Sequence, residues 1–252
     1  MIAAYRPTSR LSTTFEVIDL GGARADLKRR KELKFTLPQA DVQKLRVLLE
    51  RNARRQVHNH EISTVHSVYF DDPQLSTCRA NLDGLGRRIK VRLRWYDSPR
   101  PEQEFFFEIK WRENRVTGKH RFQVRASEAI GALSYQTILA NLSSALPERC
   151  QSILARYCEP TVLVRYQREH FVSHDRGLRA TLDYDVRYFD QRGKPFISTS
   201  FGRRHEGLVV LEGKTPVGRE HDLRALLNPL GARVGRCSKY VYGCQMLGLV
   251  HV

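Results

Sequence analysis

The sequence is short of acid, of paired cysteines and of long apolar runs. Its 252 residues carry 27 Asp and Glu against 43 Lys and Arg, a formal net charge of +16. So basic a balance suggests an acidic partner: nucleic acid, an anionic membrane or phosphate-rich small molecules. Five cysteines, Cys78, Cys150, Cys158, Cys237 and Cys244, give an odd count with no C-x-x-C pair. That argues against a disulfide framework and a zinc site, and fits a reducing, cytoplasmic compartment. No apolar run approaches the roughly 18 residues of a spanning helix. The stretch around Arg6 and Arg10 lacks the apolar centre of a secretory signal. Internal repeats, low-complexity runs and interdomain linkers are missing too. The nine histidines show no H-E-x-x-H spacing, and no P-loop or Ser/His/Asp pattern occurs.

What is present is a ladder of cations. Residues 88–125 read RIKVRLRWYDSPRPEQEFFFEIKWRENRVTGKHRFQVR. Three runs alternate with a period of two, the signature of half-buried strands. Lys90, Arg92 and Arg94 fall opposite Ile89, Val91, Leu93 and Trp95. Glu108, Lys110 and Arg112 fall opposite Phe105, Phe107, Ile109 and Trp111. Lys119, Arg121, Gln123 and Arg125 fall opposite His120, Phe122 and Val124. Short linkers with Pro99, Pro101, Asn114 and Gly118 imply an antiparallel meander. A solvated sheet face is the plain alternative. Yet like charges directly opposite across a ladder repel, and Glu108 is nearly the only acid here. Such a face is costly unless an anion sits on it.

Along the chain, residues 1–27 read as a loosely ordered arm and 28–252 as one domain. Arg30, Glu32, Lys34 and Thr36 share one face of a strand at 29–37, and a helix follows over 39–54. Further strands are expected at 63–71, 161–171, 178–189 and 208–215, with helices near 75–82, 128–141, 147–157 and 217–227. In the strand at 178–189, Arg179, Thr181, Asp183, Asp185 and Arg187 alternate onto one face. Glu212 and Lys214 share a face of the strand at 208–215. About eight mostly antiparallel strands, each with a charged and an apolar side, tend to curl or close. Either side could point inward. Amphipathic helices that need a surface to cover favour the charged side inside, though the residues alone leave both closures open.

Several segments occur in a telling order: KELKF at 31–35, SVYFDD at 67–72, KVRLRWY at 90–96, FEIKWR at 107–112, RYQREHF at 165–171, RATLDYD at 179–185, LEGK at 211–214 and SKY at 238–240. The set resembles the polyphosphate-polymerase (VTC, vacuolar transporter chaperone) domain of the triphosphate tunnel metalloenzyme, or CYTH-like, superfamily. It spans about residues 29 to 245. The resemblance implies an α+β fold: an eight-stranded antiparallel β-barrel tunnel with a basic lumen and helices packed on the outside. It implies a polyphosphate polymerase that transfers the γ-phosphate of ATP to a growing chain with Mn²⁺ or Mg²⁺. By resemblance Lys34, Arg92, Arg94, Lys110, Arg168, Arg179 and Lys239 would be phosphate ligands, with Arg92, Arg94, Lys110, Arg179 and Lys239 at the reacting centre. Lys119 and Arg121 are of the same kind, and Lys90 and Lys214 join them as substrate-binding cations. Ser238 and Tyr240 would contact phosphate or orient Lys239, and Glu212 would be the main metal ligand. ATP and inorganic polyphosphate are the implied partners, and no nucleic acid is expected.

The chemistry agrees. Phosphoryl transfer needs positioning and charge neutralisation more than covalent catalysis, and a terminal phosphate is already an oxyanion. Two departures from the family pattern matter. Hydrolytic members resemble E-x-E-x-K on the first strand, whereas this chain has Arg30, Glu32 and Lys34 there. That favours the polymerase-like branch over a two-metal triphosphatase. Fungal relatives also carry a phosphoinositide-type accessory domain and membrane segments, neither of which is read here. Coupling to transport would then need a separate membrane protein that recruits a cytoplasmic domain. A non-catalytic polyphosphate- or nucleotide-binding module and a triphosphate hydrolase are the alternatives. All three readings put many cations on one polyanion, so affinity for long-chain polyphosphate should fall steeply as salt rises. Titrations at low and high ionic strength that give the same affinity would overturn the clustered-cation reading.

Overall fold

The computed structural model describes residues 13–21, 30–114, 116–175, 177–227 and 234–251. Among these residues eleven strands form one sheet: β1 (Phe15–Asp19), β2 (Arg30–Pro38), β3 (Ala53–Arg55), β4 (Ser63–Asp71), β5 (Arg87–Tyr96), β6 (Glu104–Glu113), β7 (Val116–Ala126), β8 (Glu159–Ser173), β9 (Arg179–Asp190), β10 (Arg203–Arg204) and β11 (Leu208–Pro216). The helices are α1 (Val42–Glu50), α2 (Ser76–Leu82), α3 (Tyr135–Ala145), α4 (Glu148–Arg156), α5 (Glu220–Leu227) and α6 (Lys239–Met246). The α3 and α5 spans begin later than the apolar spacing implies. Ser134 caps α3 by accepting from the Thr137 amide, and residues 130–132 form a separate 3₁₀ turn. Before α5, Gly218 takes a left-handed turn at φ +94°.

The strand order is β1-β7-β6-β5-β4-β8-β9-β11-β2, with β10 on β9 and β3 on β8, all antiparallel. The expected antiparallel α+β architecture is present. The expected closed barrel of eight strands is not: among the described residues no ladder joins β2 to β1 or β7. Phe15–Asp19, placed by sequence in a loose arm, is instead edge strand β1 on β7. Residues 1–12 and 22–27 of that arm lie outside the described residues.

The sheet is nonetheless strongly curled. From β5 to β2 is five strand spacings, about 24 Å if the sheet were flat. Yet Lys34 on β2 and Lys90 on β5 lie near enough to repel. Likewise Lys119 on β7 feels Lys214 on β11, and Lys110 on β6 feels Glu212 on β11. The charged sides therefore face one another across a lumen.

Helices cover most of the outer apolar side. Trp95, Phe105, Phe107 and Ile109 pack under α3 and α4 with Ile138, Leu142 and Leu154. Phe35, Leu182 and Leu211 pack under α1 and α5 with Leu45, Leu49 and Leu223. Trp111, expected in the helix-covered layer, is half-buried over Gly118, where an added Cβ would lie 2.2 Å from its ring. Helix α6, with α2 beside it, is an exception to the outside placement. It packs against the concave side with Tyr69, Val164, Val186, Tyr188 and Val210, and fills one end of the lumen.

Asp71 fixes α6 there. Its carboxylate is fully buried and accepts from the backbone amides of Asp72, Thr77 and Cys78, from Thr77 Oγ1, and from the Tyr240 hydroxyl at 2.6 Å. One residue thus ends β4, starts α2 and anchors α6. Asp71→Ala strands several buried donors at once and should cost on the order of 3 kcal/mol or more. Tyr240→Phe removes one bond and should cost about 1 kcal/mol. Urea unfolding midpoints check the ranking, and equal losses would contradict this view of Asp71.

Candidate active site

Three charged groups line the lumen. The first is built on β5, whose alternation aims Arg92 and Arg94 inward. Arg92 donates through Nε to Glu108 Oε2 at 2.7 Å and through Nη1 to the Tyr69 hydroxyl at 2.9 Å. Arg94 donates to Ser67 Oγ at 3.0 Å and to the Tyr166 hydroxyl at 3.3 Å. Only 6% of Arg92, 7% of Arg94 and 3% of Glu108 is exposed. A charge so deep must be paired. Burial alone would raise the Glu108 pKa, but Arg92, Arg94 and Lys110 outweigh it and hold the carboxyl far below its ordinary range. Arg121 approaches the other Glu108 oxygen at 3.4 Å and stacks on Phe106 at 4.0 Å.

The second group is a clamp on Asp183. Arg168 grips this fully buried carboxylate with two bonds, Nε to Oδ1 at 2.6 Å and Nη2 to Oδ2 at 2.7 Å. Lys239, at the start of α6, donates to Oδ2 at 2.6 Å and lies 4.6 Å from the Tyr166 ring centre. Burial would push Asp183 up, yet Arg168 and Lys239 hold it at about 2. Its oxygens are thereby committed to cations. Asp185 does not stay on this face. It adopts φ +49° where the β8–β9 register shifts, and Val186 and Tyr188 take the inward positions beyond it. Asp185 pairs instead with Arg204 at 2.8 Å and Arg187 at 3.5 Å.

The third group is a quartet on β2 and β11, where the register sets Lys34 against Glu212 and Glu32 against Lys214. Lys34 lies 3.0 Å from Glu32 and 3.6 Å from Glu212; Lys214 lies 3.0 Å from Glu212 and 3.7 Å from Glu32. The Glu212 pKa is depressed despite its burial, by Lys34, Lys214, Arg168 and Lys110 in that order. Lys34 is raised, because Glu212 and Glu32 outweigh its loss of water. Arg179 continues this row as the ladder partner of Lys214 and is exposed. Among the described residues no three His, Cys, Asp or Glu converge into a metal cluster. Two carboxylates still suit Mg²⁺ or Mn²⁺, hard ions that complete their shell with water and phosphate oxygens. Glu212 and Glu32 would hold such an ion, in place of the lysines that now bridge them.

Between these groups lie Lys90, Lys110 and Lys119, cations that form no ion pair among the described residues. Lys110 is exposed as a residue, yet its ammonium sits well below its ordinary pKa, chiefly through Arg92 and then through lost hydration. Lys90 donates to Ser238 Oγ at 2.9 Å, and burial pushes its pKa down to about 8, with Lys34 and Arg92 adding to the fall. Lys119 is lowered as well, mainly by desolvation. Burial would raise the Tyr69 phenol, but Arg92, Arg94 and Lys90 bring it down to about 8.

A protein-family model for the VTC domain matches residues 29–248. The chain belongs to the VTC domain family. No curated protein matches it. Solved structures similar to it include PH1819 from Pyrococcus horikoshii OT3, 13% identical with a TM-score of 0.44, covering 86% of this chain and 98% of its own. HpAC1 from Hippeastrum, a candidate adenylyl cyclase described as having a dominant triphosphatase activity, is 17% identical with a TM-score of 0.46, covering 85% and 94%. A candidate adenylate cyclase (bh2851) from Bacillus halodurans is 10% identical with a TM-score of 0.46, covering 83% and 95%.

In this VTC domain, the lumen face holds Lys34, Lys90, Arg92, Arg94, Lys110, Lys119, Arg121, Arg168, Arg179, Glu212, Lys214 and Lys239. Ser238 is there too, accepting from Lys90 and capping α6 at the Val241 amide. Tyr240 is not. It is 1% exposed, stacks on Tyr69 and is bonded to Asp71, so it anchors α6 rather than reaching a ligand. Sequence reasoning gave no role to Tyr69, Tyr166 or Ser67, and placed Glu32 on the Lys34 face and in the motif without a part in the site. Their signal was alternation: each falls in phase with a neighbouring inward residue.

Lys90 and Tyr69, both near 8, would make the binding of a polyanion pH-dependent. A polyanion in the lumen raises both pKa values, so the complex holds protons that the empty lumen sheds above pH 8. Affinity should therefore be level below that point and fall as pH rises from 8 to 9.5. Calorimetry with long-chain polyphosphate, whose interior phosphates are fully ionised, in buffers of different ionisation heat should show proton uptake at pH 8.5. Proton release would overturn the assignment.

Proposed function

We propose that this VTC domain is a metal-dependent polyphosphate polymerase that moves the γ-phosphate of ATP onto a polyphosphate chain. The observation that carries the reading is a curled sheet whose one charged face gathers lysines and arginines from β2, β5, β6, β7, β8, β9, β11 and α6 around Glu212 and Glu32. Family membership supports the same chemistry class, action on triphosphates.

In this reading, the least neutralised cations, Lys110, Lys90 and Lys119, bind and align the phosphates. Arg94 and Lys239 stabilise charge on the transferring group, and Arg92 and Arg168 are held in place by Glu108 and Asp183. The incoming terminal phosphate is an oxyanion and needs no base. A divalent ion held by Glu212 and Glu32 would neutralise charge on the transferring phosphoryl group. The partners proposed are ATP and inorganic polyphosphate. Among the described residues no helix is long and apolar enough to cross a membrane. We place the domain in the cytoplasm, with membrane recruitment by a separate protein. Glu32 beside Glu212 favours a second reading, hydrolysis of a triphosphate, because paired carboxylates also suit metal-assisted attack by water.

Incubation of pure protein with ATP and Mn²⁺ or Mg²⁺ separates the readings. Polyphosphate on a gel is expected. Free phosphate alone would mean hydrolysis, and no ATP consumption would leave a binding module. Glu212→Gln should lower turnover roughly 100-fold or more while polyphosphate binding stays equal or tightens. Full turnover in that variant would remove Glu212 from the reaction.

A further inference from the structure

Beyond the phosphate-binding groups, β5 and β6 end in a rim of different chemistry. A cavity of about 420 Å³ opens there, bounded by Tyr96, Phe106, Asp97, Glu102 and Glu104 among others. Among the described residues no lysine or arginine lines it, in a chain of net charge +16. The groups that line this rim are aromatic rings and carboxylates, which suit a neutral aromatic group with hydrogen-bond donors better than a bare phosphate chain.

The rim is continuous with the lumen. Tyr96 is two residues past Arg94 on the same strand face, about 7 Å along the chain, and Phe106 is the ladder partner of Arg94. That is the scale separating a nucleoside's base from its first phosphate. The rings are held in place. Tyr96 meets Phe106 edge-on at 6.1 Å and 73°, and Arg121 covers Phe106 at 4.0 Å. The Tyr96 ring is half-buried. Around it, Asp97 Oδ1 accepts from the Thr64 amide, and Glu104 accepts from Gln123 and pairs with Arg125 at 3.3 Å. Glu102 adds a third carboxylate.

We infer that this rim is a nucleobase subsite: the base of a nucleoside triphosphate stacks on Tyr96 and gives its amino hydrogens to the carboxylates, while its phosphates run inward past Arg94. The inference rests on the proposed use of ATP, and it sets the direction in which the nucleotide enters. Bare phosphate chains have no use for the subsite, so the test compares ligands with and without a base.

Calorimetry with Mg²⁺ and either AMP-PNP or tripolyphosphate is run on wild type, Tyr96→Ala and Tyr96→Phe. Tyr96→Ala should weaken AMP-PNP about tenfold, within the range for loss of one base–aromatic stack, and leave tripolyphosphate within about twofold. Tyr96→Phe should match wild type for both. An equal loss for the two ligands, or no loss for AMP-PNP, overturns the subsite and leaves the lumen reading intact. Wild type that binds neither ligand overturns the lumen reading itself, and the subsite with it.

Discussion

Everything in this fold answers to one constraint: positive charge turned inward must be neutralised where it stands. The deepest guanidinium groups carry their own acids, Glu108 for Arg92 and Asp183 for Arg168. Outside the lumen, buried Glu169 does the same for Arg46 at 2.6 Å and Arg55 at 3.3 Å. Removing a single partner of such a pair leaves an uncompensated buried charge, which costs far more than the pair contributes. These pairs are scaffolding, and they leave the less compensated lysines as the groups with most to gain from an incoming anion. Depressed pKa values at Lys90, Lys110 and Lys119 record that strain directly.

The division has a geometric counterpart. The deepest arginines, Arg92, Arg94 and Arg168, act as planar forks fixed by more than one bond, as Arg94 is by Ser67 and Tyr166. The lysines sit on flexible stems as compact charges, able to follow a ligand whose oxygens repeat along a chain. A lumen of rigid arginines and adjustable lysines can hold phosphates in register without a base-specific contact.

Much of this was legible in the sequence, because alternation in strands is unforgiving: a one-residue slip would put Arg92 among the phenylalanines. The meander from β5 to β7, the gathering of its cations on one face and the shared face of Glu212 and Lys214 follow from period two alone; which face turns inward does not. What period two cannot carry is a break in phase. Asp185 with its positive φ sends Arg187 outward, and nothing local in the strand marks it. Tyr240 went astray for another reason. Its place in a motif suggested a ligand contact, while its hydroxyl is bonded to an aspartate 169 residues away. Neither long-range hydrogen bonding nor closure of a sheet edge leaves a periodic trace.

That bond between Asp71 and Tyr240 also has a consequence for assembly. The ladders from β4 to β7 join neighbours in sequence and can form as the chain is made, but the floor of the lumen arrives with α6. Until then Tyr69 lacks its stacking partner and Asp183 lacks Lys239. Contacts of such long sequence separation form late, because their loop entropy is lost before they can reward it. A nascent chain stopped short of residue 239 would therefore hold a cationic trough with an open end. Such a trough would attract polyanions in the cell before the lumen is complete.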